Sequence, residues 1–285
     1  MTSPLARPPQ SLRPDRWESV SLPGEHPPAQ LAPGVMLDVL VGACNHARGL
    51  TTALVTLAPG GRLDYHTHPV GEAITVLSGT LTMGVEGREY TLGPLDNVAV
   101  PQGLAHSTWN AGDVPVVMHA ALASENPRRD FVAAPTERRA MPVESTGVSG
   151  RERCTRFATA ARHAAGPGTQ FIDHYHEARV PGIGMSGGYG LFEKGGRLPA
   201  HFHDFDESIC IIDGTAICVV EGRRHTLSGN ATALQPRGRV HYFVNECATP
   251  MAMLWVYAGP SPDRIVVDEC CATAEGNPWK DSPPS

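Results

Sequence analysis

The chain has 285 residues, 41% hydrophobic and 18% charged, a globular balance with material for one large domain or two ordinary ones. A net charge of −6 argues against an electrostatic nucleic-acid binder, which needs clustered Lys and Arg to meet phosphates. No stretch reaches the roughly 20 apolar residues of a membrane helix, and the N-terminus lacks an apolar signal-peptide core, so a cytoplasmic protein is expected.

In chain order, residues 1–34 are rich in Pro and carry no periodicity, which predicts an N-terminal arm or an unstructured leader. Residues 35–123 read as a first β-rich domain: EAITVLSGTLTMGVEGREYTL is a set of short Val-, Ile- and Thr-rich runs broken by Ser-Gly and Glu-Gly turns. Residues 124–168 form a connector, in which RERCTRFATAARHAA (151–165) is expected to be a short helix. A second β-rich domain spans 169–260, with ESICIIDGTAICVVEGRRHTL as its counterpart run, and residues 261–285 are a tail of strand and loop returning to the core. The seven cysteines form no CxxC pair, which fits reduced thiols. Cys210 and Cys218 lie in apolar strand-like runs and are expected to pack. Cys270-Cys271 reads as ordinary tail, with a redox-active or soft-metal-binding pair as the sharper alternative.

The two domains are copies. A shift of 135 residues superposes His66 on His201, His68 on His203, Glu72 on Glu207, Gly79 on Gly214, Pro101 on Pro236, Gly103 on Gly238, His106 on His241 and Asn110 on Asn245. Between residues 60 and 110 the shift never changes, and 20 of those 51 positions are identical. Weaker matches, such as Asp38 with Asp173 and Met118 with Met253, extend the register outward.

On a β-strand, residues i and i+2 share a face, so His66 and His68 project together, as do His201 and His203. A carboxylate four residues on, past a tight bend, returns to the same side; Glu72 and Glu207 are placed for this. The third imidazole comes from another strand, as His106 in PQGLAHSTWN and His241 in PRGRVHYFVN. Three neutral imidazoles and a carboxylate suit a borderline divalent metal (Fe, Mn, Ni, Co, Cu or Zn), with up to two ions per chain. A lone His-x-His is as readily two polar residues on a solvated face; the downstream histidine and the in-register duplication favour metal. The recurring glycines and prolines read as turn geometry, and Asn110 and Asn245 as residues satisfying backbone groups. Arg62 and Arg197 are expected in surface salt bridges rather than as clamps for a substrate carboxylate. DHYHE (173–177) repeats the His-x-His pattern, but its first-copy counterparts (Asp38 to Gly42) hold no ligands; His174 and His176 are read as non-ligands near a pocket mouth.

These residues carry a resemblance. GGRLDYHTHPVGEAITVLSG and GGRLPAHFHDFDESICIIDG are similar to the first cupin motif, G-x5-H-x-H-x3-E-x6-G. The second motif, G-x5-P-x-G-x2-H-x3-N, is matched from its proline onward in both copies, while its leading glycine falls on Leu95 and Asn230. The chain thus resembles the bicupins of the cupin superfamily. The resemblance implies an all-β fold of two double-stranded β-helix (jelly-roll) barrels in tandem, each with a metal inside. Both ligand sets are complete, as in quercetin dioxygenases, oxalate decarboxylases and bicupin isomerases.

From such a site a metal-dependent enzyme is expected, acting on a small substrate with adjacent oxygens: an enol, diketone or hydroxy-carbonyl compound. Glu72 or Glu207 would serve both as ligand and as base. An O2-dependent, C–C-cleaving dioxygenase is favoured; a non-oxidative isomerase, lyase or decarboxylase of a sugar-like or keto-acid substrate and a non-catalytic small-molecule binder are the alternatives. No residue is assigned to substrate binding. A second copy of the chain, in a homo-oligomer, is the one protein partner considered. Which barrel works is left open: Asp204, Phe205 and Asp206 frame the second site, with Tyr242 and Phe243 near, and smaller residues frame the first, with Tyr65 and Trp109 near. Thr67 and Phe202 alternate with the ligands and are expected to face outward.

Overall fold

The Val- and Thr-rich runs become strands, and the dipeptides between them become tight turns. Glu86 and Gly87 (φ 48° and 81°) and Glu221 and Gly222 (φ 50° and 88°) have the two successive positive φ values of a type I′ hairpin turn. The computed structural model describes residues 7–137 and 152–279. Every strand pairing among them is antiparallel, and there is no α-helix among the described residues. None of their helices is long and apolar enough to cross a membrane.

Each copy folds two sheets against one another. In the first, the large sheet runs Arg153–Thr155, Asn97–Val100, Glu72–Ser78, Val116–Leu122, Thr51–Leu57, Val35–Val41, Ala29–Ala32. The small sheet runs Asp130–Phe131, Arg62–Thr67, His106–Trp109, Leu81–Val85, Arg88–Leu92. The second copy repeats this order: Ser19–Ser21, Thr232–Gln235, Glu207–Asp213, Met251–Tyr257, Ser186–Phe192, Thr169–Tyr175 against Ile265–Val266, His201–Phe202, His241–Val244, Thr215–Val220, Arg223–Ser228. A separate apolar core fills each barrel, around Leu57, Ile74, Met83 and Met118 in the first and Phe192, Ile211, Phe243 and Trp255 in the second. Between the barrels, Leu50, Ala73, Ala99 and Ala121 pack on Tyr175, Ile183 and Met185.

The large sheets exchange edge strands. Ser19–Ser21, which precedes the first copy, pairs with Thr232–Gln235 of the second; Arg153–Thr155, which precedes the second copy, pairs with Asn97–Val100 of the first. A reciprocal ion pair locks each exchange. Arg223 reaches Glu18 through Nε and Nη2, and Arg88 reaches Glu152 in the same way, with the Tyr90 hydroxyl donating to Glu152 and His225 beside Glu18. The segment before residue 35 therefore contains a strand of the repeat.

The register of the repeat slips by one residue near the start of each copy. Leu37 pairs with Val55 and Phe171 with Gly190, so Leu37 corresponds to Phe171 and Val39 to Asp173. The match of Asp38 with Asp173 is corrected accordingly: the shift is 134 up to Val41 and 135 from Thr51 on, because the loop after Tyr175 is one residue longer. The helix expected over 151–165 does not form. Arg153–Thr155 is an edge strand instead, taking up the open hydrogen bonds of Asn97–Val100, and His163 makes a bridge to Phe171. Residues 138–151 of the connector lie outside the described residues. The tail after Pro260 does return to the core: Ile265–Val266 pairs with His201–Phe202, and the Trp279 indole donates to Gly238 O. No disulfide joins any of the seven cysteines; Cys210 and Cys218 are buried, and Cys270 is exposed beside the buried Cys271.

Candidate metal centres

His66 stands directly opposite His106 on the neighbouring strand, and His201 opposite His241. His68 lies just past the end of its strand, where the N–H of Gly103 donates to its carbonyl; Gly238 does the same for His203. Both glycines have positive φ (77° and 83°), so the Pro-x-Gly turn serves to hold a ligand's backbone. The bend before Glu72 needs its glycine for a different reason. A Cβ on Gly71 would lie 2.2 Å from Ile183 O, across the contact between barrels. In the second copy that position is Asp206, whose buried carboxylate accepts from both Nη atoms of Arg16 and from the N–H groups of Arg48 and Arg237. The N-terminal segment thus braces the residue next to Glu207.

The result is two buried clusters, His66-His68-Glu72-His106 and His201-His203-Glu207-His241, whose ligand atoms all lie within 4.8 Å of one another. All six imidazoles are oriented in the same way. Nδ1 meets a backbone carbonyl in each: Asp64 for His66 (2.7 Å), Arg128 for His68 (2.6 Å), Leu104 for His106 (2.9 Å), Pro199 for His201 (2.7 Å), Asp263 for His203 (2.8 Å) and Arg239 for His241 (2.9 Å). A carbonyl only accepts, so Nδ1 carries the proton and the Nε2 lone pair faces the cluster centre. His66 Nε2, His68 Nε2, His203 Nε2, His241 Nε2 and Glu207 Oε2 are buried with no hydrogen-bond partner. His241 Nε2 and Glu207 Oε2 approach to 2.7 Å without hydrogen-bond alignment. Convergent lone pairs without a proton between them are costly in a protein interior, and a divalent cation satisfies them together.

The electrostatics agree. Burial, aided by the neighbouring His106, pushes His66 down to about 3, and burial with His241 and His203 holds His201 well below its usual range. Burial opposes ionisation of Glu72, but His68 and His106 outweigh it and hold the carboxyl well below its usual range; His203 and His241 do the same for Glu207. Burial thus keeps His66 and His201 neutral and the cluster histidines keep both carboxylates ionised, while Glu72 raises His68 against the effect of its burial.

The shells around the clusters differ. A cavity of about 400 Å3 opens the first barrel as far as His68 and Glu72, walled by Leu37, Val55, Leu63, Met118, Ala120 and Leu122. In the second barrel the equivalent positions hold rings. Trp255 stands where Ala120 does, Tyr257 where Leu122 does, and Phe171 where Leu37 does. Phe205 stacks on the His203 ring at 5.2 Å, and the Tyr257 ring lies 4.4 Å from the same imidazole, tilted by 43°.

The other residues singled out in the sequence lie outside the two clusters. Asn110 donates to Leu57 O and Val114 O, and Asn245 to Phe192 O and Thr249 O. Arg62 pairs with Asp64 and covers Trp109, while Arg197 pairs with Glu269 and covers Tyr242, so these two rings sit under surface arginines. Phe202 faces away from the cluster, into the packing beneath the tail. His174 and His176 join neither cluster and do not line the first-barrel cavity; His174 is buried and pushed down to about 4. Leu95 and Asn230, which replace the motif's glycine, keep its left-handed backbone (φ 65° and 67°), and each N–H still reaches a strand carbonyl, Val76 O and Ile211 O. Arg129, whose Nε is buried in the cavity wall, was not anticipated. Its signal is a Pro-x-Arg at 127–129 that recurs at 262–264, in register with the repeat but beyond the matched window.

The Cupin domain family matches residues 53–122 and 188–257, one segment in each barrel. The chain is a bicupin. Over 90 residues the bicupin is 42% identical to germin-like protein 4-1 of Oryza sativa subsp. japonica, a match covering 28% of the chain and 35% of the relative. It is 34% identical over 90 residues to auxin-binding protein ABP19b of Prunus persica, covering 30% of the chain and 43% of that relative. The bicupin therefore spans less than half the length of these relatives. Among solved structures it resembles oxalate decarboxylase of Lactobacillus farciminis in a formate complex, with a TM-score of 0.69 and 15% identity over 87% of the chain and 88% of the other. A variant of salicylate 1,2-dioxygenase from Pseudoaminobacter salicylatoxidans, in complex with gentisate, gives a TM-score of 0.67 and 14% identity over 87% of the chain and 84% of the other. At such identities the bicupin shares a fold with these enzymes, and the likeness extends no further.

Proposed function

We propose that this bicupin is a metal-dependent enzyme whose reaction runs in the first barrel, on a small oxygenated molecule such as an enol, diketone or hydroxy-carbonyl compound. The observation that carries this reading is the cavity that reaches His68 and Glu72, set against the rings packed on His203 of the equivalent cluster. His66, His68, Glu72 and His106 would hold one ion, and His201, His203, Glu207 and His241 a second. A divalent metal there supplies Lewis-acid polarisation and, where redox-active, a route to O2.

The chain's own residues supply the rest. The aliphatic wall keeps water from the substrate's reacting carbon. Glu72, ionised and at the inner end of the cavity, is placed to take a proton from a carbon next to a carbonyl. Oxidative C–C cleavage is the favoured outcome; isomerisation or lyase chemistry begins with the same proton transfer. The second cluster is assigned a structural role.

The test is a screen of enols, diketones and hydroxy acids against protein reconstituted with each candidate metal, read by O2 consumption and product. Product with stoichiometric O2 uptake supports the dioxygenase. Product without uptake replaces it with the non-oxidative reaction, and stable metal loading without turnover across the screen replaces it with a binding protein.

A further inference from the structure

The wall of the first-barrel cavity holds a cation that pairs with no carboxylate of the described residues. Arg129 lines the cavity, its Nε is buried without a hydrogen-bond partner, and no carboxylate among the described residues lies within ion-pair distance of it. It lines the same cavity as His68 and Glu72. Its backbone is fixed, because Arg128 O accepts from His68 Nδ1 and the next strand pairs Asp130 with Thr67 and Phe131 with His66. The second barrel has the same residue in the same place: Asp263 O accepts from His203 Nδ1, Val266 pairs with His201, and Arg264 lies between. There the guanidinium rests over the Phe171 ring, 5.3 Å from its centre. The first barrel has Leu37 at that position, and the space becomes cavity.

We propose that Arg129 is the anion-binding residue of this cavity, and that its ligand is a small monocarboxylate with an apolar body. A guanidinium presents a planar fork that matches a carboxylate through two parallel N–H···O bonds, and a buried Nε–H left without a partner is costly. The aliphatic wall receives the body of the ligand and leaves its remaining oxygens facing the His-Glu cluster. The inference rests on the first barrel being the working site, and it names the substrate class for that site.

The test uses full-length protein loaded with Zn2+, with zinc per chain measured first, and calorimetric titration of 4-methyl-2-oxopentanoate and phenylpyruvate against their methyl esters. Expected is at least tenfold tighter binding of an acid than of its ester, a preference lost in Arg129→Ala, partly kept in Arg129→Lys and unchanged in Arg264→Ala, with melting temperatures confirming that each variant folds. Equal binding of acid and ester, or a preference that survives Arg129→Ala, overturns the inference. Full zinc loading without acid preference removes Arg129's role and leaves the metal reading standing. An Arg129-dependent preference in protein that takes up no zinc supports the anion site and removes the metal reading.

Discussion

Tyr257 stands directly opposite Glu207 on the neighbouring strand, its phenol against the carboxylate. The same ladder position in the first barrel puts Leu122 opposite Glu72. Two copies with identical ligands have thus diverged on the strand that faces the carboxylate, one towards rings and one towards open space.

That divergence predicts the effect of filling the first barrel. Ala120→Trp copies Trp255 into the cavity, and Leu122→Tyr is the milder version. Metal content per chain is expected to stay unchanged by elemental analysis, while ligand binding falls at least tenfold. The reverse change, Trp255→Ala, removes a large buried ring and should cost about 3–5 kcal/mol in urea denaturation without creating a second working site. Loss of metal from the Ala120→Trp protein would show that the cavity and the cluster are not separable.

Metal occupancy is predicted to divide evenly between the copies. The pair His66→Ala with His68→Ala should remove one equivalent and all turnover, and His201→Ala with His203→Ala one equivalent and no more than part of the turnover. A chelator should lower the melting temperature of the wild-type protein, since a ligand present at about 100 times its Kd contributes about 2.7 kcal/mol. Each double variant should show about half that shift.

The ligands were legible in the sequence because their logic is local. A period of two puts His66 and His68 on one face, and the same spacings recur 135 residues later. The exchanged edge strands were not legible: Ser19–Ser21 finds its partner more than 200 residues away, and the slip from 135 to 134 hides its likeness to Arg153–Thr155. Glu18 and Glu152 are equivalent only in that slipped register. Nor does sequence alone show that Trp255 and Tyr257 stand beside the second cluster, because neighbours across a ladder come from strands distant in the chain. Arg129 was within reach, through its repeated Pro-x-Arg, but a side chain's lack of a partner is a property of the fold alone.

The exchange makes its own prediction. Glu152→Gln leaves Arg88 buried without its counter-charge, whereas Glu18→Gln leaves the more exposed Arg223 with Glu221 at 3.3 Å. Removing one partner of a buried pair costs about 3 kcal/mol, so Glu152→Gln should lower the unfolding free energy by about that amount and Glu18→Gln by less. Hydrogen exchange should then speed up at the edge of the sheet in the opposite copy: at Asn97–Val100 for Glu152→Gln and at Thr232–Gln235 for Glu18→Gln. Faster exchange confined to the copy that follows the mutated residue would contradict the exchanged pairing.

His119 gives the acid limit of stability. It lies in the Val116–Leu122 strand with Nε2 buried and unpartnered, and burial pushes it down to about 4 from an ordinary value of 6.5. The unfolded chain binds a proton there as pH falls through 6.5, whereas the folded chain stays neutral until about pH 4. Between those values the unfolded state holds the extra proton, so stability is fully present above pH 6.5 and is lost as pH falls towards 4. One such histidine accounts for about 3 kcal/mol across that window. The second copy has Leu254 at the equivalent position, between Cys210 and Tyr189 as His119 is between Thr75 and Leu54. His119→Leu should therefore fold well and lose less stability between pH 6.5 and pH 4 than the wild-type protein. Subtracting the two urea-denaturation series isolates this residue from the other titrating groups. Parallel pH profiles would mean that His119 is already solvated, or paired, in the native state.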